Sequence, residues 1–520
     1  PILFPEKGAL FDDMDMKKQV QNHIRWSRYG DRNEISLQEA QMRTFNNFIW
    51  RFAQTEGNYN FSSGSRGKGN LSSEANPYFL FPQIYNFRYN IFSSEWPVAN
   101  RVIELYLQKK SENGGWERQI NGISNNEKAV LLLEKRTFKE LLVDMELRNL
   151  QNNIVGQEAS RLFARAEINM GVEAFRDSLY SLLKRNTFLN IKFENMLDTL
   201  GEISRTDIRS LLGEWEKTTP LPFYSLGEPT LTKITNKGGE EFFVLKMLIS
   251  NNSDYDGIIH MDIRKDGWWY QPLEDPRAKT KIEMPAHTSK EFVSVWEDQI
   301  RNVEINTMVS GNLPNIISQD INNVKQERNK IVKDSIYILP ESSFDLPGEI
   351  IVDNEDSTLF ILSAPPIVGL LPKWLDEVEE TPFKYSGISW WRPPLQWTAT
   401  TNDRYYGKYI RSAFVIKSGD GSQTATWKVP VPEVGQYDLY YHVFKDDELR
   451  WNNNLQGEYH FKVKYGSEVE DAYVNLRKAN EGWEQLGSYY FDSDTIRVVL
   501  TDECKLRSVT ADAVKIVKRY

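Results

Sequence analysis

Aromatic residues crowd the last third of the sequence, and several stand beside Asp, Arg and Asn residues. Sugars present flat C–H faces that pack on exposed aromatic rings, while their hydroxyls bond with polar side chains of this kind. The candidate glycan-binding residues are Trp390, Trp391, Asp403, Arg404, Tyr405, Trp451 and Asn453. Two other interpretations stay open, because exposed aromatic clusters also bind proteins and single aromatic residues often belong to a core. We expect Trp427 and Trp483 to be core residues and Trp451 to be exposed.

Catalytic signatures are missing from the sequence. The five histidines are scattered over the chain, and none belongs to an H-E-x-x-H helix or to another metal-ligand spacing. There is no G-x-S-x-G elbow, and Cys504 follows Asp502-Glu503 in a predicted turn. We therefore predict no catalytic residue, no metal site and no cofactor.

Two acidic patterns have a structural explanation that we favour over a chemical one. Paired carboxylates such as Asp353 with Asp356 could act as acid and base only if folding placed them around a cleft, and we expect them in a solvated loop. Residues 252–257 match the opening of a calcium loop, but Ile263 stands where the loop needs a bidentate Glu. We expect Asp256-Gly257 to form a hairpin turn.

Length and composition describe an ordered protein of several domains. The 520 residues suggest three or four domains, and the 40% hydrophobic and 12% aromatic content supplies enough apolar area for their cores. The formal net charge of −10 argues against a nucleic-acid partner. A single cysteine allows no intramolecular disulfide, and no apolar run is long enough to cross a membrane. Because the chain starts at Pro1 without a Met or a signal peptide, we expect a fragment or a processed chain.

Helical patterns fill residues 36–216. Cap residues precede apolar positions at helical spacing, as in Ser36 with Glu39 and Ser124 with Glu127. Ser204 with Asp207 is expected to cap the last helix of the series. We therefore predict an all-α domain over residues 1–221.

Short strands with turn residues between them replace the helices after Pro220-Leu-Pro222. Their spacing predicts an immunoglobulin-like antiparallel β-sandwich over residues 222–318, followed by a linker or short helix within residues 319–345. A second set of alternating strands, including 424–429, 435–444 and 511–517, predicts another antiparallel β-sandwich over residues 346–520. The predicted fold class is thus multidomain α+β.

The second β region resembles a known family. Gly348-Glu-Ile-Ile-Val-Asp353-Asn-Glu-Asp356, Gly435-Gln-Tyr437-Asp-Leu-Tyr440, Gly482-Trp-Glu-Gln-Leu-Gly487 and Thr510-Ala-Asp512-Ala-Val-Lys-Ile516 are similar to the golvesin and xanthan lyase C-terminal domain. The resemblance implies a carbohydrate-binding-like β-sandwich of secreted bacterial proteins. It departs from the family after Asp356, where Ser357-Thr358 stand instead of Gly-Phe.

Residues of about 100–320 resemble the region that follows the catalytic domain in gluzincin-type zinc aminopeptidases. The parallel rests on Gly171-Val-Glu-Ala-Phe175, on Trp215, and on Pro222-Phe-Tyr224 leading into a β domain. The zinc helix and the substrate-anchoring motif of those peptidases are absent from this sequence, so the resemblance implies a non-catalytic C-terminal region.

Together these patterns predict an extracytoplasmic recognition or scaffold region of a larger bacterial envelope protein, periplasmic or at the cell surface. Its expected partner is a polysaccharide or an envelope protein, and membrane attachment would come from the full-length protein. The alternative is a peptidase or polysaccharide-processing enzyme with a site between the helical domain and the first β domain. We favour recognition over catalysis, because catalysis needs convergent polar groups and none stands at a recognisable spacing.

Overall fold

The computed structural model describes most of the chain from residue 89 onward and two short segments before it. The described residues are 20–24, 36–44, 89–107, 115–186, 189–265, 271–273, 275–321, 323–328, 332–341, 344, 348–363, 383–389, 392–445 and 457–519. The chain forms two compact units, residues 1–110 with 138–217 and residues 111–137 with 218–520. In the described part, no helix is both long and apolar enough to cross a membrane.

The first unit is built from helices around an aromatic core. Its described helices are 20–24, 37–44, Ala99–Leu107, Phe138–Leu142, Gln151–Met170, Val172–Arg185 and Phe193–Ser204, with 3₁₀ helices at Met145–Leu150 and Arg209–Glu216. Trp215 meets Trp96 edge-on at 5.0 Å and Phe138 at 4.9 Å between ring centroids. The unit also holds a parallel strand pair, β1 (Tyr89–Phe92) with β2 (Leu189–Lys192), which the all-α prediction did not include.

The predicted helix caps at Ser36 and Ser124 are present. The backbone N–H of Glu39 donates to the Ser36 hydroxyl at 3.1 Å, and Ser124 with Glu127 forms a complete capping box. The predicted cap at Ser204 is wrong. Ser204 is the last residue of the preceding helix and its hydroxyl donates to the Leu200 carbonyl, while Asp207 accepts from the N–H of Ser210 and begins the next turn.

The second unit contains helical segments besides its sheets. Gly115–Asn121 and Asn125–Lys135 pack against the β structure, where the buried Glu127 carboxylate accepts from the backbone N–H of Asn315 at 2.9 Å and from Arg118 Nε at 3.0 Å. Close backbone contact adds to this connection: a Cβ on Gly387 would lie only 1.9 Å from the Ile120 carbonyl oxygen. The predicted domain boundaries stay predictions.

Two sheets form the first β-sandwich of the second unit. Its strands are β3 Tyr224–Leu226, β4 Thr230–Thr235, β5 Glu241–Asn251, β6 Gly257–Lys265, β7 Gln271–Pro272, β8 Lys279–Met284, β9 Thr288–Trp296, β10 Ile300–Asn306, β11 Ile316–Asp320, β12 Val324–Arg328 and β13 Ser335–Pro340, with a 3₁₀ turn at Pro276–Ala278. The sheet orders are β11-β10-β6-β7, with β8 beside β6, and β12-β4-β5-β9-β13, with β3 beside β5. Alternate residues such as Leu245, Met247, Ile259 and Met261 fill the core between them.

Two local expectations for this sandwich differ from the structure. The Asp256-Gly257 turn connects β5 to β6, which lie in different sheets, so it is a crossover between sheets and not a hairpin. The segment predicted to be a linker or short helix contains two strands, since β12 pairs parallel with β4 and β13 pairs antiparallel with β9. Its polar sequence fits β12 because a sheet edge leaves charged side chains in water.

The second β-sandwich fills the C-terminal third. Its strands are β14 Glu349–Val352, β15 Phe360–Leu362, β16 Thr398–Thr401, β17 Ser412–Lys417, β18 Thr424–Pro430, β19 Gly435–Val443, β20 Glu458–Tyr465, β21 Glu468–Asn475, β22 Gly482–Phe491, β23 Thr495–Thr501, β24 Ser508–Ala511 and β25 Val514–Lys518. The sheet orders are β14-β25-β19-β22, β15-β18-β23-β20-β21 and β16-β17-β24. Trp427, Tyr441 and Phe461 are fully buried in its core.

One predicted strand of this sandwich is broken. The pattern over 511–517 predicts a continuous strand, but β24 ends at Ala511 and β25 begins at Val514 in a different sheet. Between them Asp512 has no exposed surface. The multidomain α+β fold class, with helices followed by antiparallel β-sandwiches, is confirmed.

Candidate ligand-binding site

The structure describes three of the seven predicted glycan-binding residues. Asp403, Arg404 and Tyr405 lie in the loop that joins β16 to β17, whereas Trp390, Trp391, Trp451 and Asn453 lie outside the described residues. Tyr405 is only 6% exposed and its ring packs on Phe444 at 4.6 Å, so it supports the loop from below. The carbonyl of Asp403 accepts from Arg411, which fixes the loop from the other end.

Arg404 connects this loop to the neighbouring sheet. Its guanidinium lies 4.7 Å from the centre of the Phe444 ring, its Nε donates to Glu481 at 2.5 Å, and it also donates to the Lys445 carbonyl. Glu481 directly precedes β22. The predicted residue Arg404 therefore lies beside the first residues of that strand.

An aromatic cluster occupies this end of the sheet. Its members are Tyr406, Tyr440, His442, Trp483 and Lys515. The Trp483 ring lies 5.0 Å from Tyr406 and 5.2 Å from His442, and Lys515 Nζ lies 4.8 Å from the Trp483 ring and 5.4 Å from the Tyr440 ring. Tyr406, Tyr440 and Trp483 are half-buried, whereas the side chains of His442 and Lys515 are only 12% exposed. Lys515 Nζ also donates to Glu349 at 3.0 Å.

Strand register explains why these residues meet. His442 is paired with Trp483 across β19 and β22, and Tyr440 is paired with Lys515 across β19 and β25. Successive side chains of a strand point to opposite faces, so the burial of Tyr441 in the core turns its neighbours to the outer face. Trp483, expected in the core, thus belongs to the outer face of the sheet.

A buried carboxylate supports the cluster from below. Asp512 Oδ2 lies 2.8 Å from His442 Nδ1, and its carboxylate accepts from the backbone N–H of Tyr406 at 3.1 Å. Burial raises the pKa of Asp512 above its ordinary value, and burial lowers the pKa of the nearby Arg411. Asp512 thereby fixes both the His442 ring and the backbone that carries Tyr406.

Asp353 and Glu355 lie close to Asp512, and the expectation that Asp353 lies in a solvated loop is wrong, because its carboxyl group is largely buried. Burial, with the charges of Asp512 and Glu355, raises the pKa of Asp353 to about 8. Glu355 is held by the Tyr385 hydroxyl at 3.1 Å, by Ser412 and by Lys384 Nζ at 2.6 Å.

Asp356, by contrast, closes its own turn. Its carboxylate accepts from the N–H and the hydroxyl of Thr358 at 3.0 and 2.6 Å, and that hydroxyl bond lowers its pKa. Asp353 and Asp356 therefore do not form an acid and base pair.

The arrangement is suited to binding by ring contact and hydrogen bonding. The deepest carboxylate, Asp512, has no surface with which to reach a substrate, and it is already engaged by His442 and the Tyr406 backbone. Among the residues that the structure describes, no group of three His, Cys, Asp or Glu side chains is placed to hold a metal ion. Trp483 and Tyr406, both half-buried, contribute adjacent rings to this outer face.

Sequence reasoning grouped Tyr406 and Trp483 among the aromatic residues of this domain but did not include Tyr440, His442 or Lys515. A signal for His442 was present, because alternate apolar residues along β19 predict which side chains point outward. No sequence pattern predicts the supporting position of Asp512, since the break between β24 and β25 depends on contacts with distant strands.

Comparison with known proteins identifies one region of the chain. Residues 393–518 match the model of the Golvesin C-terminal domain. The match includes the whole aromatic cluster and Asp512. No curated protein matches the sequence.

Two solved structures are distantly similar to this chain. A Bacteroides uniformis β-glucuronidase is 13% identical, with 58% of this chain and 30% of that chain covered at a TM-score of 0.17. Bacteroides uniformis β-glucuronidase 2, in covalent complex with cyclophellitol-6-carboxylate aziridine, is 11% identical, with 67% and 38% covered at a TM-score of 0.17. The aligned part spans less than two fifths of either enzyme, and likeness at this level carries no argument about activity. The sequence match and the β-sandwich around Trp427 together identify residues 393–518 as a golvesin C-terminal domain, a carbohydrate-binding-like module.

Proposed function

We propose that this chain is a non-catalytic recognition region of a larger bacterial envelope protein, and that its golvesin domain binds glycan through the aromatic cluster. The observation that carries the proposal is the outer-face position of Trp483 beside Tyr406, His442 and Lys515. A sugar ring can pack its C–H face on Trp483 while its hydroxyls bond with the histidine, the lysine and the nearby Arg404.

The support from below favours binding over catalysis. Asp512 fixes the His442 ring and the Tyr406 backbone, so the cluster is held in one arrangement before a ligand arrives. Binding gains from such preorganisation because less side-chain freedom is lost on association. An exported location, periplasmic or at the cell surface, is part of the proposal because a polysaccharide partner would be met there.

The experiment is a binding survey with the full chain. The protein is incubated with immobilised cell-wall and surface polysaccharides and, in parallel, with a soluble extract of envelope proteins. We expect retention on at least one polysaccharide and loss of that retention in the Trp483→Ala variant. Absence of retention on every polysaccharide, or retention that Trp483→Ala does not change, would contradict glycan binding at this cluster.

A further inference from the structure

Strand β13 leaves an unusual apolar edge on the first β-sandwich. It is the last strand of the sheet β12-β4-β5-β9-β13, and its other edge pairs with no strand in the described part of the chain. Ile336, Tyr337, Ile338 and Leu339 are 48%, 52%, 72% and 40% exposed. Because successive side chains point to opposite faces, the strand exposes apolar side chains on both faces.

The composition of the strand makes this edge open to pairing. Soluble proteins protect sheet edges with charged residues, proline, bulges or very short strands, since an unpaired edge attracts further strands. The segment Ser335-Ile-Tyr-Ile-Leu-Pro340 has six residues, contains no charged side chain and has its one proline at the last position. It pairs with β9 over its full length without a register shift. The edge is therefore straight, apolar and long enough to receive another strand.

We propose that β13 is a dimer interface in which the same strand of a second copy of this chain pairs antiparallel with it. A two-fold axis perpendicular to the sheet places one residue opposite itself, and the register with Tyr337 on the axis fits the sequence best. It places Ile336 opposite Ile338, so that β-branched side chains meet across the strands.

Charge complementarity between the two ends of the strand favours this register. It also favours a second copy of this chain as the partner at the β13 edge. With Tyr337 on the axis, Lys333 of one copy lies opposite Glu341 of the other, twice by symmetry. Both residues are exposed and flank the strand. The Glu341 oxygens are each engaged once within the chain, by Asn252 at 2.8 Å and by His287 at 2.9 Å. A carboxylate can accept about four hydrogen bonds, so Lys333 of the second copy would add a further contact to it. The remaining flanking acid, Asp334, is paired with Arg277 and lies opposite the uncharged Pro340.

Light scattering coupled to size exclusion tests the dimer on the full chain. We expect a mass of two chains at micromolar concentration for the wild type and of one chain for Ile338→Lys, which places a charge on the shared edge. Lys333→Glu should weaken the dimer at least fivefold, and the double variant Lys333→Glu with Glu341→Lys should restore it. The charge-swap rescue excludes misfolding as the cause of the loss.

Cross-linking tests the register. In a Cys504→Ser background, Tyr337→Cys should form a covalent dimer with a short bis-maleimide, whereas Leu339→Cys should react much less because its counterpart lies four residues away along the strand. The proposal would be overturned if the wild-type chain stayed monomeric. Pairing of β13 with a strand of another protein, in place of a second copy, would also overturn it. A dimer that Ile338→Lys leaves unchanged would do the same.

Discussion

The Nδ1 atom of His442 lies 2.8 Å from Oδ2 of Asp512, a carboxylate with no exposed surface. This contact connects the buried interior of the golvesin domain to its outer aromatic cluster, since the His442 ring also contacts Trp483. The stability of this end of the sheet and the position of the Trp483 ring therefore depend on the same pair of residues.

Removing His442 should destabilise the golvesin domain. His442→Ala removes the histidine from the buried Asp512 carboxylate and leaves it the N–H of Tyr406, and breaking a buried pair in this way costs about 3 kcal/mol. Urea unfolding followed by tryptophan fluorescence measures the change. The matched control is His460→Ala, because His460 pairs at 2.7 Å with Asp471, whose side chain is 56% exposed. An equal loss in both variants would contradict the importance of the buried contact.

Asp353 should make the stability of the second unit fall as pH rises. Its pKa is about 8 in the folded chain against an ordinary value of 3.8, so the folded state holds its proton more tightly than the unfolded state does. The contribution of Asp353 to the free energy of unfolding is thus fully present below about pH 4 and is lost progressively as pH rises towards 8.

Urea midpoints at pH 5 and pH 8 for wild type and Asp353→Asn measure this effect. The variant lacks the ionisable group, so its stability should not fall in this way. The urea midpoint of Asp353→Asn minus that of wild type should therefore be larger at pH 8 than at pH 5. The exposed Asp420, whose pKa is lowered by Ser422, provides a control in which Asn substitution should produce no such gain. A constant difference between Asp353→Asn and wild type at the two pH values would be inconsistent with a raised pKa.

Glu127 should be a main contact between the helix Asn125–Lys135 and the β structure. Its carboxylate accepts from the N–H groups of Ser124 and Asn315 and from Arg118, and its side chain has no exposed surface. Glu127→Ala should lower the free energy of unfolding by about 3–5 kcal/mol. Glu216→Ala removes an exposed ion pair with Lys139 and should cost less than about 1 kcal/mol. Chemical denaturation of the two variants compares these values directly.

Two glycine substitutions should act in opposite directions. An added Cβ at Gly387 would clash with the Ile120 backbone, so Gly387→Ala should destabilise the chain by about 1–3 kcal/mol. Gly156 lies inside the helix Gln151–Met170, where an added Cβ would meet no atom within 4 Å beyond its own helix backbone and chain neighbours. Gly156→Ala should therefore stabilise the helix by up to about 1 kcal/mol. Thermal unfolding of both variants should show shifts of opposite sign; a neutral Gly387→Ala would contradict the close contact.

Local patterns predicted local structure well. The capping box at Ser124 and the alternating strands β18 and β19 are present, because each is specified by neighbouring residues. The same logic failed at Ser204, where the preceding helix continued through the expected cap.

The candidate site could be predicted only in part. Its aromatic surroundings predict Arg404 as a ligand-binding residue, but its position beside the start of β22 depends on the pairing of strands far apart in the sequence. The alternation of its neighbours predicts that Asp512 lies within a strand. Its buried position results from the meeting of β24, β25 and the 402–411 loop.

Glycan recognition by the aromatic cluster is tested by the binding of a retained polysaccharide to wild type, Trp483→Ala and Tyr490→Ala. Tyr490 is a fitting control because it lies on the same strand as Trp483 and is 59% exposed. Titration calorimetry with soluble fragments of that polysaccharide should show at least about tenfold weaker binding for Trp483→Ala and wild-type affinity for Tyr490→Ala. Unchanged affinity in Trp483→Ala, with the fold intact by circular dichroism, would contradict a role for the cluster in binding glycan.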